Sequence, residues 1–414
     1  MKANYDVVVI GGGPAGSSAA ALTAQAGHRT LLIEREAMPR FHIGESLMPE
    51  VYWPLQRLGV LDRMESLGFQ KKLSVQFVTN SGKESSPFYF KQHDPRDCSS
   101  TWQVERSQFD QMLFERAGEL GADCYDQTRV LDVQIDDQDR ATGVRVRDAQ
   151  GQEHEIASQV VVDATGLQSL IANKLGLKVV NPDLKKAAIW GYWKDARRDD
   201  GENEGATIIM QTENKDSWFW FIPLSNGITS IGCVGNNDYM LKQGLKPEAK
   251  YEYELSICPG LQERLKDADF QGEIRVAKEF SYTTTRHAGQ GWVLIGDAFG
   301  FIDPIYSSGV YFALETGVRA ADAINEGFAN GDLSANQLAR WADDFKEGSS
   351  WIRKLVHAYY TNEFSFGRFM KAHPEHTGNL TDLLIGRIFH DQAGAIFDDM
   401  DGAIATAKRD AMSM

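Results

Sequence analysis

Cysteine is scarce, and its placement excludes as much as its number. The four cysteines in 414 residues, Cys98, Cys124, Cys233 and Cys258, lie far apart and form no Cys-x-x-Cys pair. Neither a disulfide framework nor a cysteine-based zinc site is therefore expected, the thiols are read as reduced, and no metal site is predicted. Long apolar runs are also missing: no stretch reaches the roughly 18 residues that a membrane span requires. The opening Met1-Lys2-Ala3-Asn4-Tyr5-Asp6 lacks the apolar centre and small-residue cleavage site of a secretory signal, which points to the cytoplasm. Basic charge is in deficit, with 43 Lys and Arg against 58 Asp and Glu. The resulting net charge of −15 disfavours nucleic acid and membrane as partners, because both need a basic footprint. The length itself exceeds what one core usually fills, so a large domain with a smaller companion is expected.

The chain opens with a compact nucleotide signal. An apolar β-branched run at 6–10 leads into Gly11-Gly12-Gly13-Pro14-Ala15-Gly16 and then an alanine-rich helix over 17–26. Gly11 permits the tight turn, Gly13 lets the backbone approach a pyrophosphate, and Gly16 allows close helix–strand packing, with the phosphates at the helix N-terminus. Pro14 and Ala15 lie within the same cradle. A second strand at 30–33 ends in Glu34, where an acidic residue is expected to hold a ribose hydroxyl pair. Only one G-x-G-x-x-G opening is present, so no separate nicotinamide site is visible.

Three later segments identify the dinucleotide. Val104-Glu105-Arg106-Ser107-Gln108-Phe109-Asp110 resembles the V-x-R-x-x-F-D segment of the group A flavoprotein monooxygenase superfamily. Asp163-Ala164-Thr165-Gly166 resembles its A-T-G strand end, and Gly296-Asp297 its G-D motif. The resemblance implies FAD, with Arg106 near the flavin, Gly166 near the adenosine half and Asp297 at the ribityl chain. It also implies an α/β fold of the PHBH-like kind: a Rossmann-like FAD-binding domain, an antiparallel-sheet substrate domain and a helical C-terminal region. Apolar and polar residues alternate over 73–103 and 180–285, between turn signals such as Asn80-Ser81-Gly82, which fits the second layer. The FAD-binding domain is then discontinuous, at 1–72, 104–179 and 286–330. A helical stretch is expected near 49–67, and helical spacing of Leu338, Trp341, Ala342 and Phe345 marks the region 331–414. The charged run 195–205 is read as a solvated loop.

Further segments narrow the resemblance to flavin-dependent halogenases. Trp218-Phe219-Trp220-Phe221-Ile222-Pro223 carries the W-x-W-x-I-P pattern of that family. Arg40-Phe41-His42-Ile43-Gly44-Glu45-Ser46 is similar to its flavin-flanking G-E-S segment. Phe301-Ile302-Asp303-Pro304-Ile305-Tyr306-Ser307-Ser308-Gly309 fits its F-x-x-P-x-x-S-x-G pattern. Phe69-Gln70-Lys71-Lys72-Leu73-Ser74-Val75-Gln76-Phe77 resembles its F-x-x-K-x-G-x-x-F segment, with serine at the glycine position and Lys71 beside Lys72. What the resemblance implies is specific. Lys72 falls at the catalytic position, with adjacent Lys71 as the alternative; Arg40, Gly44, Glu45, Ser46, Gly296 and Pro304 flank the flavin. Ser308 and Gly309 bind halide, since successive backbone N–H groups form an anion nest. Trp218, Trp220, Ile222, Pro223, Phe301 and Ser307 wall the path from flavin to substrate. Tryptophan halogenases carry a glutamate where this chain has Tyr306, so a phenol, a pyrrole or a carrier-bound acyl group is the expected substrate class.

The activity so implied begins with FAD reduced by a separate NAD(P)H-dependent flavin reductase. Oxygen gives a flavin C4a-hydroperoxide, chloride or bromide becomes hypohalous acid, and Lys72 presents the halogen to an electron-rich aromatic substrate. A plain FAD monooxygenase without halide chemistry and a non-catalytic flavin carrier are the rival readings on the same fold.

Overall fold

The computed structural model describes residues 1–242 and 244–412. Two eight-stranded sheets organise it. The first is built on Asn4–Ile10, a strand whose last four residues are buried because both faces are covered. It pairs in parallel with Thr30–Ile33 on one side and with the end of Glu153–Asp163 on the other. Asp123–Tyr125 and Trp292–Leu294 extend the parallel sheet at either edge, and the hairpin formed by Arg129–Ile135 and Ala141–Arg147 adds antiparallel strands to Glu153–Asp163.

The helix Pro14–Gln25 starts at a proline, which suits the first helical position because its missing N–H would be unpaired there anyway. It packs against the long helix Gly309–Asn330. Gly317 makes that contact close: a Cβ there would lie 2.5 Å from the Ala15 carbonyl oxygen.

The second sheet runs in spatial order Gly300–Phe301, Asp269–Thr284, Lys178–Lys194, Ile228–Asn236, Ser217–Pro223, Thr207–Gln211, Ser74–Val78, Phe88–Tyr89. It departs from a purely antiparallel layer at one place, since Thr207–Gln211 and Ser74–Val78 run parallel. A short ribbon of Gln70–Lys72 with Thr101–Gln103 stands apart from both sheets. Ser217–Pro223 is buried along its whole length because its two faces serve different cores. Trp218, Trp220 and Ile222 join the main core, while Phe219 and Phe221 join a second one with Met240, Tyr251 and Leu261.

The stretch expected to be helical near 49–67 is interrupted at Gly59, which takes a left-handed φ of 68° between Tyr52–Leu58 and Leu61–Ser66. The charged run 195–205 is not a free loop. Ala196 and Asn203 are buried, and the Arg198 guanidinium donates to the carbonyls of Leu224 and Ile228 at 2.7 and 2.6 Å. In the C-terminal region Leu338, Trp341, Ala342 and Phe345 are all buried, and Trp341 and Phe345 pack on Phe299. No helix among the described residues is long and apolar enough to cross a membrane.

Candidate active site

A cavity of about 420 Å³ runs from the glycine turn of the first sheet to the tryptophan strand of the second. Gly11, Gly13, Pro14, Ala15, Glu34, Arg40, Gly44, Glu45, Ser46, Arg106, Gly166, Gly296, Asp297 and Pro304 line it. So do Trp218, Trp220, Ile222, Phe301, Ser307 and Gly309. Four residues singled out by sequence do not reach its surface: Gly16, Lys72, Pro223 and Ser308.

The glycine turn is built for a close approach. Gly11 has φ +108°, and a Cβ on it would lie 2.3 Å from the Ala164 carbonyl oxygen. Gly16 sits away from the cavity because it is the packing glycine, where a Cβ would meet the Gly11 oxygen at 1.9 Å. Gly13 differs from both: a Cβ there meets only the Arg40 guanidinium, at 3.5 Å, so its backbone faces open space. Glu34 is held at this end, with Oε2 accepting from Gly12 N at 2.9 Å and Oε1 from Glu36 N at 3.0 Å.

The segment 40–46 is clamped over the cavity by buried charge. Asp110, fully buried, accepts from Arg106 Nε at 2.8 Å and from Arg40 Nη1 at 2.8 Å. Arg106 Nη1 then donates to the carbonyls of Ile43 and Gly44 at 2.7 and 3.2 Å. The neighbouring Arg106 charge holds the imidazole of solvent-exposed His42 down at about 4. Burial pushes the Glu45 carboxyl up to about 7, although the Tyr192 hydroxyl donates to its Oε1 at 2.7 Å. Asp297 is pushed up to about 6, again by burial.

Opposite this clamp stands an aromatic wall. Trp190, on Lys178–Lys194, joins Trp218 and Trp220 in lining the cavity, and its ring lies 6.2 Å from Trp220. Gly232 pairs with both Trp190 and Trp220 across its neighbouring strands; a Cβ there would fall 2.1 Å from the Trp220 ring. The wall is pinned at its far end by a chain in which Trp218 Nε1 donates to Tyr360 Oη at 2.8 Å and Tyr360 donates to Asp303 Oδ2 at 3.0 Å. Tyr306 is buried and lies off the cavity surface, as a packing residue would.

Lys71 and Lys72 alternate to opposite sides of their strand. Lys71 is half-exposed, pairs with Glu65 and lies 4.3 Å over the Trp102 ring. Lys72 is 3% exposed, and its Nζ donates to Ser46 Oγ at 2.9 Å and to the Leu47 carbonyl at 3.0 Å. Among the described residues no carboxylate forms an ion pair with it, and burial lowers the ammonium to about 7. Ser46 Oγ lies 2.8 Å from Thr207 Oγ1, which also accepts from Gln103 Nε2 at 2.8 Å.

Ahead of the 22-residue helix Gly309–Asn330, Ser307 adopts φ 59° and Ser308 occupies the N-cap position without a side-chain capping bond. The first N–H groups of that helix have no intrahelical partner, and Gly309, Val310 and Ala313 face the cavity. Away from the cavity, ligand-type atoms of His373, Glu375, His376 and Asp399 lie within 4.8 Å of one another. Sequence spacing predicted no such cluster. Here its members pair among themselves, with His376 Nε2 at 2.8 Å from Asp399 Oδ2.

Trp190, Ile209, Thr207, Gln103 and Gly232 are the residues that sequence reading missed. They reach the site through strand register, and no local motif marks them.

The residues present fit FAD: an open glycine cradle at Gly13, an anchored acid at Glu34, and a long cleft that ends on an apolar wall. The sequence model of the FAD binding domain family matches residues 4–327. The 1H-pyrrole-2-carbonyl-(peptidyl-carrier protein) brominase of Pseudoalteromonas luteoviolacea is 33% identical over 389 residues, covering 93% of this chain and 93% of its own. The sulochrin halogenase of Aspergillus terreus is 33% identical over 360 residues, which is 81% of this chain and 65% of that longer protein. The structure of the flavin-dependent brominase Bmp2 matches with a TM-score of 0.87 and 32% identity, over 98% of this chain and 100% of that one. Motifs, fold and relatives converge: this chain belongs to the FAD-dependent halogenases.

Proposed function

We propose that this protein halogenates an electron-rich aromatic substrate with chloride or bromide, and that Lys72 is the residue through which the halogen is delivered. The observation that carries the reading is Lys72 itself. A buried ammonium with no counter-ion is costly, and a pKa near 7 suits a group that must both give and regain a proton. Bound and reduced, FAD supplies the oxygen activation that turns halide into hypohalous acid.

The chain's own residues divide the remaining work. Gly11, Gly13, Pro14 and Ala15 receive the pyrophosphate at a helix N-terminus, and Glu34 takes the ribose. Arg106 and Arg40, held on Asp110, keep Gly44, Glu45 and Ser46 over the cofactor. Halide sits at the turn of Ser307, Ser308 and Gly309, where the helix N-terminus and consecutive N–H groups favour an anion. Ser308 contributes its backbone only, since its side chain is off the cavity surface. Trp190, Trp218, Trp220 and Ile222 form a dry wall that protects the oxidised halogen and keeps substrate away from the flavin. Pro223 ends the wall without lining it.

The substrate is a phenol or a pyrrole. The end-to-end match with the pyrrole-carrier brominase favours a pyrrole tethered to a carrier protein. The protein works in the cytoplasm with a separate NAD(P)H-dependent flavin reductase. The test is mass spectrometry of products from free and carrier-tethered pyrroles and from phenols, run with bromide and with or without an added reductase. Brominated product only with the reductase is expected. Hydroxylated product throughout, or NADPH oxidation by the protein alone, would overturn the reading.

A further inference from the structure

Lys72 does not touch the cavity on which it is proposed to act, and the residues between them form a defined chain. Lys72 Nζ donates to Ser46 Oγ at 2.9 Å, and Ser46 Oγ lies 2.8 Å from Thr207 Oγ1. Gln103 Nε2 donates to Thr207 Oγ1 at 2.8 Å and to the Gly205 carbonyl at 3.0 Å. Ser46 and Thr207 are both buried, and both line the cavity.

Proton bookkeeping gives this pair a direction. Each hydroxyl has one proton to donate. One of the two protons makes the bond between the hydroxyls. Among the described residues, the donors at either end, Lys72 and Gln103, leave no protein acceptor for the other. Whichever way the mutual bond runs, one O–H remains, on a residue that lines the cavity.

We propose that the paired hydroxyls of Ser46 and Thr207 are the contact through which Lys72 acts: Ser46 donates to Thr207, Thr207 hydrogen-bonds hypohalous acid in the cavity, and the pair relays a proton to it from the Lys72 ammonium. This rests on the reading of Lys72 as the delivering residue. As the ring carbon attacks, the carbon–halogen bond forms and the halogen–oxygen bond breaks heterolytically. The oxygen keeps the electron pair, takes the relayed proton and leaves as water, while Lys72 becomes neutral. The ring carbon then loses its proton, which restores the ammonium, so that ArH and HOX become ArX and H2O. Thr207 touches the halogen species; Ser46 is a positioning residue that links it to Lys72.

Among the described residues, no charged side chain opposes this cycle from the elements packed on Lys72. Ser46 and Leu47 face it from the flavin-flanking segment, Phe90 lies 5.9 Å away on its short helix, and Thr101 is its strand partner. Lys71 and Glu45 turn instead to Glu65 and Tyr192.

The test compares Thr207→Val, which keeps shape and removes the hydroxyl, with Thr207→Ser, which restores it. Ser46→Ala is the second break in the chain, and Lys72→Ala is the reference. Single-turnover product, hypobromous acid trapped in solution, FAD affinity and the pH profile are read together. Thr207→Val should lose product roughly 100-fold, the scale of a lost proton-transfer group, and should release the missing halogen as trappable acid with FAD affinity unchanged. Its remaining rate should no longer depend on ionisation near pH 7. Thr207→Ser should recover to within about threefold of wild type, a difference worth under about 1 kcal/mol. Ser46→Ala should likewise lose product per bound FAD and release trappable acid. If Thr207→Val and Ser46→Ala halogenate normally while Lys72→Ala is inactive, the relay is wrong, and direct attack by the lysine nitrogen replaces it. If Lys72→Ala is active, the lysine reading falls first.

Discussion

Replacing Lys72 with methionine should make the protein more stable and inactive, a combination that few substitutions produce. Burial lowers the Lys72 ammonium from 10.5 to about 7. At about 1.4 kcal/mol for each tenfold change in proton affinity, the folded state opposes the charge by about 5 kcal/mol. Methionine has a similar length and carries no charge, but it leaves Ser46 Oγ and the Leu47 carbonyl without their donor. That loss is worth about 1 kcal/mol for each bond, so the net gain is about 3 kcal/mol. The sign follows from linkage. Between pH 7 and 10.5 the unfolded wild type binds more protons than the folded form, so wild-type stability rises with pH across that window. The advantage of the methionine variant is therefore complete below pH 7 and fades toward 10.5. Urea denaturation is the assay of choice, because a chain this long shifts its melting temperature by only about 1 °C per kcal/mol. Lys71→Met is the control and should change little, since that ammonium is on the surface with Glu65. A Lys72→Met variant that is less stable than wild type at pH 6, or that still halogenates, would refute the reasoning.

Two glycines of the opening motif should fail in different ways. Gly13→Val should fold normally yet lose FAD, measured by fluorescence titration, because the only neighbour of its Cβ is a guanidinium 3.5 Å away. Gly16→Ala should cost at least about 2 kcal/mol in urea, since its Cβ would be forced into the Gly11 carbonyl. Arg106→Met should destabilise by about 3 kcal/mol, because fully buried Asp110 would keep Arg40 alone; a change below about 1 kcal/mol would show the cluster to be redundant. Glu45 carries a folded-state pKa raised from 4.5 to about 7, so the folded form binds the extra proton and stability falls as pH rises through that window. Glu45→Gln should flatten the pH–stability curve between those limits; an unchanged slope would remove Glu45 as its source.

The parts of this site that were legible in the sequence are local in the chain. Strand, glycine turn and helix follow one another within 4–25, and so this unit could be read without knowing the sheet. The choice between Lys71 and Lys72 could not, because it depends on which side of a short ribbon faces Ser46. That is set by pairing Lys72 with Thr101 and Lys71 with Trp102, thirty residues away. Trp190 and Gly232 were hidden for the same reason: three strands must come into register before glycine falls between two tryptophans. Thr207 enters through the one parallel pair of the second sheet, a connection that alternation of polar and apolar residues does not encode. The charged run 195–205 misled because composition reports solvation, and it cannot show that Arg198 anchors the loop to two carbonyls.

The strand Ser217–Pro223 also divides the labour of substitution. Its even-numbered residues, Trp218, Trp220 and Ile222, shape the cavity, whereas Phe219 and Phe221 fill a core that the cavity never meets. Mutational libraries aimed at new substrates can therefore vary alternate positions and leave the intervening ones fixed. A selection for altered product and a selection for thermal tolerance would then sample two interleaved sets of residues on one backbone, with little trade between them.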